Sequence, residues 1–178
     1  PMFREPVIIE HAGMYHLKGL LDPTFIEEVN SWFESNVCLR ANLNGKLESA
    51  ASIGSDRISV FDEESSQKLY EKLIEYGIPS KYTGNSDLSL NSSWESSVIN
   101  PLWRGIRYNV GDALVAHYDD TFAENSDTRS LMSVVLYFTQ GETHFMTDPR
   151  ENHNYADYKV WEGEVDHKFV CGPGDVLV

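Results

Sequence analysis

The sequence is short of basic residues. Its 178 residues contain 14 Lys and Arg against 28 Asp and Glu, which gives a formal net charge of −14 at pH 7. Proteins that bind DNA or RNA present clustered Lys and Arg, because phosphate contacts supply much of that affinity. The basic residues here are scattered, so we expect no nucleic-acid partner. An acidic surface suits a neutral or cationic substrate, but the demands of solubility explain the charge more simply.

Cysteines and long apolar runs are also scarce. The two cysteines, Cys38 and Cys171, form no CxxC motif, and we expect both to be reduced core residues. No apolar run approaches the length of a bilayer span, and the N-terminus lacks the basic and apolar segments of a signal peptide. We therefore expect a cytoplasmic protein without membrane association. The length predicts a single domain over residues 1–178, and the oligomeric state stays open.

Two helices are predicted in the first half of the chain. The first covers residues 20–35, where Asp22 is placed to cap the helix and a proline takes the first helical position. Its apolar residues share one face at helical spacing: Phe25, Ile26, Val29, Trp32 and Phe33. The second covers residues 61–77 and ends at Gly77. Its apolar stripe consists of Leu69, Tyr70, Leu73 and Ile74. Residues 20–78 are thus expected to form a helical part.

From about residue 102 onward the sequence changes to short β-like runs separated by turns. The runs are LWRGIRYNV, ALVAHY, SLMSVVLYFT, THFMT, DYKVWEGEV, HKFVCG and DVLV. Two helices followed by many short strands predict an α+β protein. In this arrangement the helices pack outside a sandwich or barrel that is formed by about residues 100–178.

The run RYNVGDALVAHYDDTF, residues 107–122, places His117 and Asp119 two positions apart. In a strand such residues share a face and lie about 6.6 Å apart at their bases, from a rise of about 3.3 Å per residue. Their side chains can therefore converge on one ion, and imidazole with carboxylate suits Fe(II), Mn(II) or Zn(II). The alternative is a histidine at a strand end and a loop aspartate that bind no metal.

The order of motifs around this pair resembles that of a known family. The pattern RY-x-x-GD-x-L-x-x-H-x-D-D is followed by RSLMSVVLYFTQGETHF and later by FVCGPGDVLV. Over residues 103–178 this order is similar to that of iron- and 2-oxoglutarate-dependent dioxygenases, in their prolyl 4-hydroxylase-like branch. The resemblance implies a double-stranded β-helix, or jelly roll, whose mouth holds the iron.

The resemblance also implies roles for four residues. His117 and Asp119 match the first two iron ligands of the family. Tyr108 matches a tyrosine beside the oxoglutarate, and Tyr137 matches the tyrosine that hydrogen-bonds its far carboxylate. Both tyrosines would also suit cross-strand packing in a β core. Thr143 matches the threonine of a Gly-Gly-Glu-Thr motif, but the first glycine is replaced here, and Thr143 is left out of the predicted site.

The family requires a third iron ligand, a second His, and further along a Lys or Arg that pairs with the oxoglutarate. We expect both beyond Val178, in a C-terminal part of the jelly roll that the sequence omits. Among the histidines present, His144, His153 and His167 are poor substitutes, and His167 is the best placed of the three.

The resemblance implies a dioxygenase that uses Fe(II), 2-oxoglutarate and O2, with ascorbate as a reductant, and releases succinate and CO2. The first substrate class is a prolyl residue in a protein or peptide. Retention of Asp119 favours hydroxylation over halogenation, since related halogenases lack that carboxylate. Two alternatives stay open: hydroxylation of a free amino acid or small metabolite, and a non-catalytic cupin-like module that holds a metal or ligand. A zinc hydrolase is more distant, because the motif offers no additional base.

Overall fold

The computed structural model describes residues 1–36, 39–40, 52–53, 56–83, 93–110, 113–114, 117, 119, 122–123, 125, 127–146 and 164–178. This part of the chain is mixed α/β, with two helices and short, mostly antiparallel strands. The helices are α1 (Pro23–Ser35) and α2 (Glu63–Glu75). The strands are β1 (Val7–His11), β2 (Met14–Lys18), β3 (Leu39–Arg40), β4 (Ser52–Ile53), β5 (Asp56–Phe61), β6 (Lys81–Thr83), β7 (Ser93–Glu95), β8 (Leu102–Arg107), β9 (Ala113–Leu114), β10 (Val135–Leu136), β11 (Gly141–Met146), β12 (Val165–Cys171) and β13 (Val176–Leu177). Neither described helix is long and apolar enough to cross a bilayer.

The chain divides into two compact units. The first consists of Pro1–Arg57 and Ile106–Val178, and the second of Ile58–Gly105. All four residues of the predicted site belong to the first unit, so the functional argument depends on how that unit is built.

The largest sheet of the first unit has the strand order β1-β2-β13-β10. Strands β1 and β2 form a hairpin in which Val7 pairs with Lys18. Its turn uses Ala12 (φ 50°) and Gly13 (φ 80°), the left-handed conformations of a two-residue hairpin turn. This hairpin is not among the strands predicted from the sequence, because alanine rarely adopts that conformation and gives no turn signal.

The C-terminal strand β13 lies inside this sheet. Val176 pairs with Leu17 of β2 on one side and with Leu136 of β10 on the other. The buried apolar residues of the unit, within the described ranges, are Leu17, Leu20, Leu21, Ile26, Phe169, Cys171, Val176 and Leu177. Cys171 is a free buried thiol, as predicted, whereas Cys38 lies outside the described residues. The core therefore forms where the N-terminal and C-terminal strands meet.

A buried carboxylate ties the turn before β13 to the end of β2. Asp175 Oδ2 accepts hydrogen bonds from His16 Nε2 at 2.8 Å and from the Gly172 amide at 2.9 Å. Its Oδ1 accepts a third from the Gly19 amide at 2.8 Å. In the same turn Gly174 has a φ of 93°, and a Cβ there would lie 3.0 Å from a backbone oxygen. Both the conformation and the close approach require glycine.

Helix α1 begins as the sequence predicts. Asp22 caps it by accepting a hydrogen bond from the Thr24 amide at 2.9 Å, and Pro23 is its first residue. The inward face carries Phe25, Ile26, Val29 and Phe33. Trp32, in contrast, is 39% exposed, so the apolar stripe is narrower than predicted.

The same helix is attached to the chain just after β10. The Asn30 side chain donates a hydrogen bond to the Phe138 carbonyl at 3.1 Å. The rings of Phe25 and Phe138 lie 6.1 Å apart. Phe138 directly follows Tyr137, so these contacts help to hold the segment that carries one of the predicted site residues.

The second unit contains α2 and the antiparallel pair β6–β7. Asp62 caps α2 by accepting a hydrogen bond from the Ser65 amide at 2.9 Å, and this bond lowers the Asp62 pKa. Leu69 and Leu73 are buried on the predicted stripe. The helix stops just before Gly77, whose φ of 86° ends it as expected.

Replacement of Asp175 by alanine should destabilise the protein by on the order of 3 kcal/mol. His16 would lose its partner in the core, at a cost of about 1–3 kcal/mol, and two backbone amides would lose a charged acceptor. Urea denaturation followed by circular dichroism measures the free energy of unfolding. Asp166→Ala is the matched control, since Asp166 is exposed on β12 and should matter little. Equal stability of the two variants would contradict the role assigned to the buried carboxylate.

Candidate metal and cosubstrate site

The two side chains of the HYDD motif lie side by side. His117 Nε2 is 3.2 Å from Asp119 Oδ1. The side chains are 33% and 62% exposed respectively, so both reach solvent. Neither residue belongs to a described strand, so the contact does not test the strand face from which the pair was predicted, and its metal-binding role stays a prediction.

The spacing of these two donor atoms fits one metal ion. Two ligands about 2.1 Å from an ion and at right angles to each other lie about 3.0 Å apart. The 3.2 Å between His117 Nε2 and Asp119 Oδ1 is close to that value, and it is also the length of the hydrogen bond that the two side chains form with each other. The pair can thus occupy two adjacent positions of an octahedral ion, and imidazole with carboxylate is the donor combination of non-haem Fe(II) sites.

Tyr137, just after β10, packs against the core of the first unit. Its hydroxyl shares a short hydrogen bond with Thr143 Oγ1 of β11. Its ring packs against a cluster formed by Phe169, Cys171 and Leu177. Burial is the main cause that raises the pKa of Tyr137 to about 12. The hydroxyl therefore stays protonated at neutral pH and can donate a hydrogen bond to an anion.

Gly141 leaves room for the Tyr137 ring. A Cβ at this position would lie 3.1 Å from Cε1 and 3.2 Å from Cδ1 of the tyrosine. Gly141 and Thr143 both belong to the GET sequence of β11. This short sequence therefore serves Tyr137 twice, by giving space to its ring and a partner to its hydroxyl. Thr143, which is outside the predicted site, is in direct contact with one of its members.

Tyr108 follows β8 and is 43% exposed. Partial burial raises its pKa, and the nearby Arg57 lowers it to a smaller extent. Tyr108 in turn slightly raises the pKa of Tyr137, so the two phenols are within electrostatic range of each other. The preceding residue, Arg107, is anchored to Asp56 through Nη2 at 2.9 Å and Nε at 3.2 Å. The two tyrosines share a neighbourhood, and their roles toward a cosubstrate stay predictions.

Among the described residues, no third donor joins His117 and Asp119 to complete a group of three. The one such group there consists of His16, Cys171 and Asp175, whose ligand atoms lie within 4.8 Å of one another. The 2.8 Å between His16 and Asp175 is that of a direct hydrogen bond. Burial also raises the pKa of the Cys171 thiol, which disfavours the thiolate that binds metals. Stabilisation of the fold accounts for this group.

The histidines considered as substitutes for the third ligand have other contacts. His144 Nε2 lies 3.0 Å from Glu142 Oε2 on the exposed face of β11. The His167 ring stacks on that of His11, with their centroids 3.8 Å apart. His153 lies outside the described residues. Neither His144 nor His167 is therefore paired with the HYDD motif.

Ser133, which no sequence pattern singled out, contacts this motif directly. Its Oγ donates a short hydrogen bond to Asp119 Oδ2. No local pattern in the sequence could have found it, because the contact joins residues fourteen positions apart.

Comparison of the chain with protein-family models, with curated proteins and with solved structures gives no match. The geometry of the HYDD pair and of its neighbours, together with the order of the sequence motifs, supports the proposed function.

Replacement of Tyr137 by phenylalanine should make the protein less sensitive to alkali between pH 10 and 12. The pKa of Tyr137 is about 12 in the folded protein, against about 10 for a tyrosine in an unfolded chain. In this window the unfolded chain releases a proton that the folded chain keeps, so the stability of the wild type falls as the pH rises. Urea denaturation at a series of pH values compares the two proteins. Parallel losses of stability would show that the folded chain does not shield this phenol.

Proposed function

We propose that the protein is an iron- and 2-oxoglutarate-dependent dioxygenase that hydroxylates a C–H bond. The observation that carries the proposal is the 3.2 Å contact between His117 Nε2 and Asp119 Oδ1, which is close to the spacing of two adjacent ligands of one ion. The order of the sequence motifs supports the same assignment. Bound Fe(II), with 2-oxoglutarate and O2, would supply the oxidising power of the reaction, and ascorbate would serve as an external reductant.

The residues of the chain have separate tasks in this proposal. His117 and Asp119 hold the metal through one imidazole nitrogen and one carboxylate oxygen. A site with two histidines and one carboxylate would leave positions open for the cosubstrate and O2, and no described histidine meets the pair as the second one. The protonated Tyr137 hydroxyl donates a hydrogen bond to the far carboxylate of 2-oxoglutarate, and Tyr108 borders the same molecule.

We assign the first unit to the double-stranded β-helix, or jelly roll, that the motif order implies. Two features support this assignment: the antiparallel sheet β1-β2-β13-β10 and the separate antiparallel pair β11–β12. A jelly roll consists of two such layers of antiparallel strands. The site residues Asp119 and Tyr137 would then lie near one open end of the two layers.

A prolyl residue in a protein or peptide is the proposed substrate, in keeping with the branch of the family that the motifs resemble. Turnover of a panel of proline-rich peptides tests this class against free amino acids and small metabolites, which are the alternative. A cytoplasmic location completes the proposal.

The second candidate is a cupin-like module that binds a metal without turnover. This candidate is favoured because only His117 and Asp119 meet among the described residues, whereas the proposed iron site has three protein ligands.

Replacement of His117 by alanine should abolish Fe(II)-dependent formation of succinate from 2-oxoglutarate in the full-length protein. Loss of a direct ligand should weaken metal binding by more than the tenfold to hundredfold that is typical of losing an outer-shell partner. The fold should survive, because the His117 side chain reaches solvent and its removal opens no core cavity. Mass spectrometry measures succinate, and thermal melting without metal measures the fold.

His144→Ala is the matched control for this variant. His144 also lies beside a carboxylate two residues away, at 3.0 Å, but its partner Glu142 is shared with Lys168 at 2.8 Å. This variant should form succinate like the wild type. A wild type that binds metal and forms no succinate would establish the binding module instead. A His117→Ala variant that melts lower, in a protein that no metal stabilises, would make the HYDD motif structural.

Replacement of Tyr137 by phenylalanine should raise the 2-oxoglutarate concentration needed for half-maximal turnover about tenfold to a hundredfold. A hydrogen bond to a charged group contributes about 1.5–3 kcal/mol, which corresponds to that range. Initial rates of succinate formation at varied 2-oxoglutarate measure the effect. Tyr70→Phe is the control, because the Tyr70 hydroxyl bonds the Ser96 carbonyl in the second unit. An unchanged requirement in the Tyr137 variant would remove this residue from cosubstrate binding.

A further inference from the structure

The two oxygens of the Asp119 carboxylate have different partners. Oδ1 forms a 3.2 Å hydrogen bond with His117 Nε2, the atom that would share a metal ion with it under the proposed function. Oδ2 accepts a short hydrogen bond from the Ser133 hydroxyl. One oxygen is thus aligned with the second metal donor, and the other is occupied by a neutral donor from a different part of the chain.

This arrangement bears on how the carboxylate would bind a metal. A carboxylate can bind through one oxygen or through both. The Ser133 hydrogen bond disfavours binding through both, because Oδ2 would have to give up its donor to reach the ion. Binding through Oδ1 alone takes one coordination position instead of two. The proposed chemistry needs the positions that remain for the cosubstrate and O2.

The placement of Ser133 along the chain supports this role. Exposure alternates over residues 131–136, where Leu131, Ser133 and Val135 are exposed and the residues between them are less so. This is the period of two of an extended chain, in which alternate side chains share a face. Ser133 thus lies on the exposed side of this segment, where it meets the exposed Asp119, whereas Tyr137 is half-buried against the core.

The hydrogen bond between Ser133 and Asp119 contributes little to the stability of the fold. Ser133 and Asp119 are both exposed, and a hydrogen bond between exposed groups largely replaces bonds to water. Ser130 offers a contrast three residues earlier. Its Oγ accepts a hydrogen bond from the Phe122 amide at 2.8 Å, next to the backbone bond from Ser130 N to the Phe122 carbonyl at 2.7 Å. Ser130 thus closes a local loop, whereas Ser133 reaches the HYDD motif.

We propose that Ser133 is a positioning residue, which orients Asp119 so that one carboxylate oxygen binds the metal and the other does not. The inference rests on the proposed function, since it takes His117 and Asp119 as ligands of one divalent ion. Hydrogen bonds to ligating carboxylates commonly have this effect, and their loss weakens metal affinity about tenfold to a hundredfold.

Co(II) binding to the full-length protein, followed by visible absorption, tests the proposal. Ser133→Ala should weaken Co(II) affinity about tenfold to a hundredfold and change the spectrum, because Co(II) bands depend on the number of ligand atoms. Ser133→Thr keeps the hydroxyl and should restore both properties. Melting of the alanine variant without metal should equal that of the wild type. Ser130→Ala is the matched control and should keep the wild-type affinity and spectrum.

The outcomes separate this inference from the proposed function. Ser133→Ala with wild-type Co(II) affinity and spectrum, beside a His117→Ala variant that no longer binds Co(II), would overturn the role of Ser133 and leave the metal site standing. A threonine variant as weak as the alanine variant would also overturn it, because the hydroxyl would then not matter. If His117→Ala binds Co(II) like the wild type, both proposals fall.

Discussion

Two donors from the N-terminal part of the chain and one from its own turn converge on the buried carboxylate of Asp175. His16 and Gly19 approach from the N-terminal hairpin, and Gly172 approaches from the turn before β13. Burying a carboxylate in the core costs free energy unless its oxygens accept hydrogen bonds. Asp175 therefore favours the alignment of the strands in which all three donors reach it. Strand β13 lies between β2 and β10. The same alignment therefore also sets the position of β10, the strand that Tyr137 follows.

Features that depend on neighbouring residues could be predicted from the sequence. The start of α1 at Asp22 and Pro23 follows from capping, and the end of α2 just before Gly77 follows from the left-handed conformation that glycine adopts readily. The hairpin β1–β2 could not be predicted in this way. Its turn places Ala12 at a φ of 50°, against the ordinary preference of alanine.

The contacts of the site that join residues distant in sequence could not be predicted from the sequence. Ser133 meets Asp119 across fourteen positions, and Thr143 meets Tyr137 across a turn between two strands. Such contacts depend on how strands are paired, which local patterns do not encode. The GET sequence shows the difference: its likeness to a family motif drew attention to it, but only the close approach of Gly141 to the Tyr137 ring gives it a physical purpose.

The backbone of Tyr137 has a consequence for the C-terminal turn. Its amide donates to the Asp175 carbonyl at 2.9 Å, and its carbonyl accepts from the Gly174 amide at 2.8 Å. These bonds link the position of the Tyr137 side chain to the closed form of the turn. Under the proposed function, a molecule held by the Tyr137 hydroxyl would favour that closed form and suppress opening of the turn by mass action. Amide hydrogen exchange at Gly174 and Asp175 would then slow as the concentration of that molecule rises.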